Sequence, residues 1–126
     1  MEQRVVKNQL FRFQTMDIWK RASKISMPLF QIADKLEKEK KFRFAEQLRG
    51  ATLSITNNIA EGSGSTSSKD FQNFLKFSRR SVFEVANILM ILVNAEHINI
   101  NDVGKHLIEL DEISKMIVGF SKSLNT

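Results

Sequence analysis

Apolar residues recur at alternating intervals of four and three along two long stretches of this chain. Ile18, Ala22, Ile25, Leu29, Ile32 and Leu36 follow one another at 4, 3, 4, 3 and 4 residues. Val103, His106, Leu110, Ile113, Ile117, Phe120 and Leu124 repeat the pattern at 3, 4, 3, 4, 3 and 4, with His106 the one polar member. On a strand these side chains would scatter over both faces, whereas on a helix they form one seam. A seam of this kind is the signature of helices packed at shallow angles. One Pro and five Gly in 126 residues leave little punctuation for an all-β fold, so the chain reads as all-α.

The middle of the chain agrees. On a helix, Phe44, Leu48, Ala51, Ile55 and Ile59 fall within roughly 80° of one another. Gln47, Ser54, Asn58 and Glu61 form a polar stripe directly beside them. Polar side chains along the border of a core are expected to be partly buried at a helix or subunit seam, each with a hydrogen-bond partner. Further on, Phe71, Phe74, Leu75, Ser78, Val82, Val85, Leu89 and Leu92 form a core stripe, with Phe77, Phe83, Ile88 and Ile91 off it. A helix so apolar around its circumference is expected to be covered on more than one side, which points to an oligomer.

These patterns predict an antiparallel up-down-up-down four-helix bundle, with an arm over residues 1–14 and the bundle over 15–126. The helices are expected at about 15–37, 42–61, 68–97 and 101–123. In the arm, Val5, Val6, Leu10, Phe11 and Phe13 favour packing against a neighbour over a free tail. Thr15 and Asn101 are the expected N-caps of the first and fourth helices, and Ser67 with Asp70 resembles a capping box for the third. Gly62 is the expected stop of the second helix. Pro28 removes one hydrogen bond inside the first helix, but the apolar register continues past it, so one kinked helix is expected rather than two.

The absence of cysteine excludes disulfides and thiolate chemistry and fits a reducing cytoplasm. The start of the chain has no secretory-signal pattern, and the most apolar run, Val82 to Val93, is broken by Glu84 and Asn87 and too short for a membrane span. A cytoplasmic protein with no membrane association is expected. His97 and His106 are the only histidines, and neither has the neighbours of a metal site or a catalytic set, so no metal, cofactor or catalytic residue is expected. His97 is expected near the end of the third helix, beside its terminal carbonyls. Gly62-Ser63-Gly64-Ser65-Thr66 lacks the preceding strand and the following Lys of a phosphate loop.

The net charge of +5 is unevenly distributed. Residues 1–50 hold 12 Lys/Arg against 6 Asp/Glu, and residues 51–126 hold 7 against 8. The candidates for nucleic-acid phosphate contact are Lys20, Arg21 and Lys24 on the first helix and Lys35, Lys38, Lys40, Lys41 and Arg43 around the first turn. Lys76, Arg79 and Arg80 on the third helix complete the set. No recognition-helix motif accompanies them, and Trp19 reads as a packed residue. Arg49, Glu61 and Arg79 carry two readings: an ion-pair network that fixes helix packing or subunit register, or part of a ligand site.

Ser54-Ile55-Thr56-Asn57-Asn58-Ile59-Ala60-Glu61-Gly62, followed by Ser67 to Leu75, resembles the signature of the four-helix-bundle proteins encoded in intervening sequences of 23S rRNA genes. It is also similar to the accessory proteins of diversity-generating retroelements. Asp17-Ile18-Trp19-Lys20-Arg21-Ala22, Gln47-Leu48-Arg49, Ser81 and Glu84 extend the likeness to roughly residues 13–123. The resemblance implies a left-handed bundle assembled as a homopentameric ring, a basic surface suited to RNA or DNA, and no enzymatic activity. The positions the family usually keeps correspond to Arg49, Ser54, Asn58, Glu61, Arg79, Ser81 and Glu84. Three departures stand out: Gly50 replaces a basic residue, Arg80 replaces a common Gly, and the loop before the second helix lacks the usual Pro. Two functions follow: a nucleic-acid-binding oligomer, in some settings an accessory of a larger nucleic-acid-processing protein, or a protein–protein scaffold whose basic surface is incidental.

Overall fold

A computed structural model describes residues 10–124. Val5 and Val6, part of the expected arm, lie outside the described residues. The described chain forms a 3-10 turn, Arg12–Thr15, and four helices. These are α1 (Asp17–Lys38), α2 (Phe42–Ser63), α3 (Ser68–Asn94) and α4 (Ile100–Ser123). Each helix packs along its successor across a short connection, and α4 returns to α1, so consecutive helices run antiparallel. α1 and α3 stand on opposite corners.

The core is built from the predicted seams. Ile18, Ala22, Ile25, Leu29 and Leu36 of α1 are buried, as are Leu48, Ile55 and Ile59 of α2. Phe71, Leu75, Val82, Val85, Leu89 and Leu92 of α3 meet Val103, Leu110, Ile113 and Ile117 of α4. α1 runs unbroken through Pro28, as the uninterrupted apolar register requires. Ser78 donates its hydroxyl to the Ile55 carbonyl at 2.8 Å, tying α3 to α2 inside the core. Thr52 is the exception among the described residues: its hydroxyl is buried without a partner.

Several termini differ from expectation. α1 is preceded by Met16 rather than capped by Thr15, whose hydroxyl instead donates to the Arg12 carbonyl at 2.9 Å. Asn99, not Asn101, caps α4, its side chain accepting from the Asn101 N–H at 2.8 Å. Ser67 caps α3 as expected, accepting from the Asp70 N–H at 3.1 Å. α2 runs past Gly62 to Ser63, with Gly64 at its cap. Gly62 is buried within the helix because α3 comes in close: a Cβ there would lie 2.7 Å from Phe71 Cδ1.

α1 and α3 end alike. Lys40 and Glu96 adopt left-handed backbone, φ 65° and 61°. The Lys41 and His97 N–H groups reach back to the Leu36 and Leu92 carbonyls, each at 2.9 Å. Both turns are Schellman closures with a side-chain-bearing residue where glycine is usual.

Candidate nucleic-acid interface

Lys20, Lys24, Lys35 and Lys38 are separated by 4, 11 and 3 residues, so helical rotation of about 100° per residue sets them within about 60° of one another. All four are exposed on the outer face of α1, away from the core, and none forms an ion pair with a described residue. At about 1.5 Å rise per residue the stripe is roughly 27 Å long.

Of the three acids of α1, Asp17 stands in the first turn, and Asp34 and Glu37 do not neutralise this stripe because Arg49 draws them aside. Its guanidinium donates to Asp34 at 2.8 Å and to Glu37 at 2.7 Å, and these contacts raise the Arg49 pKa further above its ordinary value. The two carboxylates are thereby turned toward α2. Arg49 thus fixes the α1–α2 hairpin and leaves the outer α1 face positive.

Arg21 is otherwise engaged. It forms a two-pronged ion pair with Glu109 of α4, whose hydrogen bonds raise the Arg21 pKa, and it also reaches the Met116 sulfur at 3.0 Å. Its charge is paired across the half-buried α1–α4 seam. Lys41 pairs with Glu39 at 3.2 Å, and Lys40 occupies the left-handed turn beside it. Arg43 stands exposed in the first turn of α2, along a shallow hollow with Phe42, Glu46 and Gln47. Lys76 and Arg80 are exposed on the outer face of α3, opposite the α1 stripe. Arg79 turns toward α4: its Nε donates to Ser114 Oγ at 3.2 Å, and its guanidinium lies 4.9 Å from the Phe83 ring centre. The eleven candidates are therefore not one surface: four lie on the outer face of α1, Lys76 and Arg80 on that of α3, Lys40, Lys41 and Arg43 around the first turn, and Arg21, Lys41 and Arg79 are already partnered.

Arg49, Glu61 and Arg79 are not brought together. Arg49 serves α1, Arg79 serves α4, and no ion pair reaches Glu61 among the described residues. In the polar stripe of α2, Asn58 donates to the Ser54 carbonyl at 2.8 Å, both residues being half-buried, while Gln47 and Glu61 are exposed. Ser81 is buried and Glu84 exposed on the facing side of α3. Of the four surplus apolar residues of α3, Ile88 is inside the bundle, a correction to the sequence reading. Phe77, Phe83 and Ile91 stay exposed, at 49%, 57% and 45%.

Sequence reasoning missed two cations. Lys69 joins Lys76 and Arg80 on α3, a relation legible in their spacing of 7 and 4. Lys105 gains its place from the α3–α4 connection, which no local pattern reveals. Trp19 is packed, 5.0 Å from the Phe13 ring centre. His97 closes α3 through its backbone, while its ring meets Phe44 edge-on at 5.5 Å. His106 is half-buried, and burial followed by the nearby Lys105 lowers its pKa. No group of three or more metal-ligating side chains occurs among the described residues. No helix of the described residues is long and apolar enough to cross a membrane.

The profile of the 23S rRNA-intervening sequence protein family matches residues 14–119, from the 3-10 turn almost to the end of α4. The chain belongs to that family. No curated protein and no solved structure matches it. Within this 23S rRNA-intervening sequence protein the signature run Ser54–Gly62 has physical roles at Ser54, Ile55, Asn58, Ile59 and Gly62. Ile55 and Ile59 fill the core, Asn58 bonds back to Ser54, and Gly62 admits the Phe71 ring.

Proposed function

We propose that this 23S rRNA-intervening sequence protein is a non-enzymatic, cytoplasmic oligomer that binds RNA or DNA through phosphates. The observation that carries the reading is the α1 stripe of Lys20, Lys24, Lys35 and Lys38, left unmatched because Arg49 holds Asp34 and Glu37. Lysines on flexible stems contact phosphates without reading bases. Lys76 and Arg80, with Lys69, form a second such surface on α3. Assembly into a ring, with five copies as the family resemblance implies, would repeat each stripe and turn weak contacts into useful avidity.

Support for assembly comes from the outer flank of α2 and α3. Helical phase sets Ser54, Asn58 and Glu61 of α2 beside Phe77, Glu84 and Ile91 of α3, joining a polar stripe to exposed apolar side chains. A second copy of the chain fits this mixed surface. Those same exposed side chains favour the second reading, a protein–protein scaffold whose basic surface is incidental, or an accessory subunit docked on a larger nucleic-acid-processing protein.

The test is light scattering for mass, followed by binding of labelled RNA and DNA across a salt titration. Phosphate contact predicts binding that falls steeply with salt and ignores base sequence. Equal binding at low and high salt would remove it. Capture of a specific protein partner after nuclease treatment would favour the scaffold.

A further inference from the structure

The backbones of α1 and α4 approach each other least closely of the four neighbouring pairs, and two clefts along this seam share Pro28 and His106. The larger, about 780 Å³, lies at the end of the bundle where the α3–α4 connection crosses to α1. Its apolar wall includes Ile32 and Ile98; both imidazoles of the chain, His97 and His106, line it, as do the exposed Lys35 and Lys105. Lys35 also belongs to the α1 phosphate stripe, so stripe and cleft are continuous.

We propose that this cleft receives an unpaired nucleotide of a single strand whose phosphates follow the α1 lysines. The inference rests on the phosphate-contact reading above and deepens it by choosing single-stranded over duplex nucleic acid. The combination of surfaces makes the choice. An inorganic phosphate would occupy only a small part of such a volume and has no use for Ile32 or Ile98. A nucleotide has a flat π-faced base for the apolar wall and imidazoles, and an anionic group for Lys35 and Lys105. Neither Lys35 nor Lys105 forms an ion pair with a described residue. Glu96 and Asp102 also line the cleft, Asp102 one helical turn before Lys105 on α4. A base inside a duplex is stacked and paired, and reaches a recess only by unpairing and flipping out of the stack. A single strand enters without that cost.

The test uses the full chain and one labelled oligonucleotide of about 16 nucleotides, alone and annealed to its complement, read by fluorescence anisotropy. The decisive variant is Lys105→Glu, an exposed change outside the α1 stripe. His97→Ala, which removes an imidazole face, is the second. Each is expected to weaken single-strand binding about tenfold and to change duplex binding less than twofold. Single-strand and duplex affinities that stay equal, or fall together in both variants, overturn the cleft and leave the lysine stripe standing. Failure of the wild-type chain to bind either probe in a salt-dependent way overturns the stripe, and the cleft with it.

Discussion

Gly62 lies so close to Phe71 that a Cβ on the glycine would sit 2.7 Å from the ring's Cδ1 and 2.8 Å from Phe74 Cβ. Neither contact is the far end of a flexible chain, so α2 and α3 would have to separate. Gly62→Ala is therefore expected to destabilise the bundle by about 1–3 kcal/mol, although alanine is the better helix former. Gly50, Gly104 and Gly119 have nothing within 4 Å of the same position. Each of those replaced by Ala is expected to stabilise by about 0.5–1 kcal/mol. Urea unfolding of the four variants checks the contrast, and Gly62→Ala unfolding with the other three would contradict it.

Lys40 and Glu96 hold left-handed backbone at the ends of α1 and α3. Lys40→Gly and Glu96→Gly are expected to stabilise by about 1 kcal/mol each, because glycine carries no Cβ penalty in that region. A rise in the urea midpoint with an unchanged slope is the expected result. Unchanged or lowered midpoints would show that the two side chains contribute more than their backbone strain costs.

The buried Thr52 hydroxyl has no partner among the described residues. Thr52→Val keeps the branched shape and removes the unsatisfied group, so about 1 kcal/mol of added stability is expected. A clear loss in thermal unfolding would reveal a hydrogen bond that the packing does not show.

His106 couples the α1–α4 seam to pH. Burial and then Lys105 hold its folded pKa below the ordinary 6.5, so the unfolded chain takes up a proton more readily than the folded one. Stability from this residue is fully present above pH 6.5 and is lost as pH falls from there through the lowered folded value. His106→Gln is expected to flatten that part of the stability–pH curve and to leave the curve above pH 7.5, roughly one unit past the transition, unaltered. An unchanged acid limb in the variant would assign the loss elsewhere.

The seams of α1 and α4 were legible because burial on one side of a helix writes a period into the sequence. Ile18 to Leu36 and Val103 to Ile117 fall where that period puts them. Termini were less legible because neighbouring residues offer equivalent chemistry. Asn99 and Asn101 are both competent caps, and only the path of the α3–α4 connection selects Asn99. Gly62 reads as a helix stop because glycine near a helix end usually is one, whereas here a ring from the next helix requires it. Arg21 reads as a free cation because its partner, Glu109, is 88 residues away and nothing local announces it. The same blindness hid the α1 acids: Asp34 and Glu37 look like neighbours of Lys35 and Lys38 until Arg49 is seen to hold them.

The most direct test is to replace Lys20, Lys24, Lys35 and Lys38 together by Gln and follow single-stranded RNA binding across a range of salt. The four side chains are exposed and form no ion pair with a described residue, so the helix content of the variant should match the parent by circular dichroism. If the stripe contacts phosphates, the slope of log affinity against log salt becomes shallower by about 3, the release expected for four lost contacts. A variant that binds with the parent's slope would place the phosphate contacts elsewhere and contradict the assignment of this face.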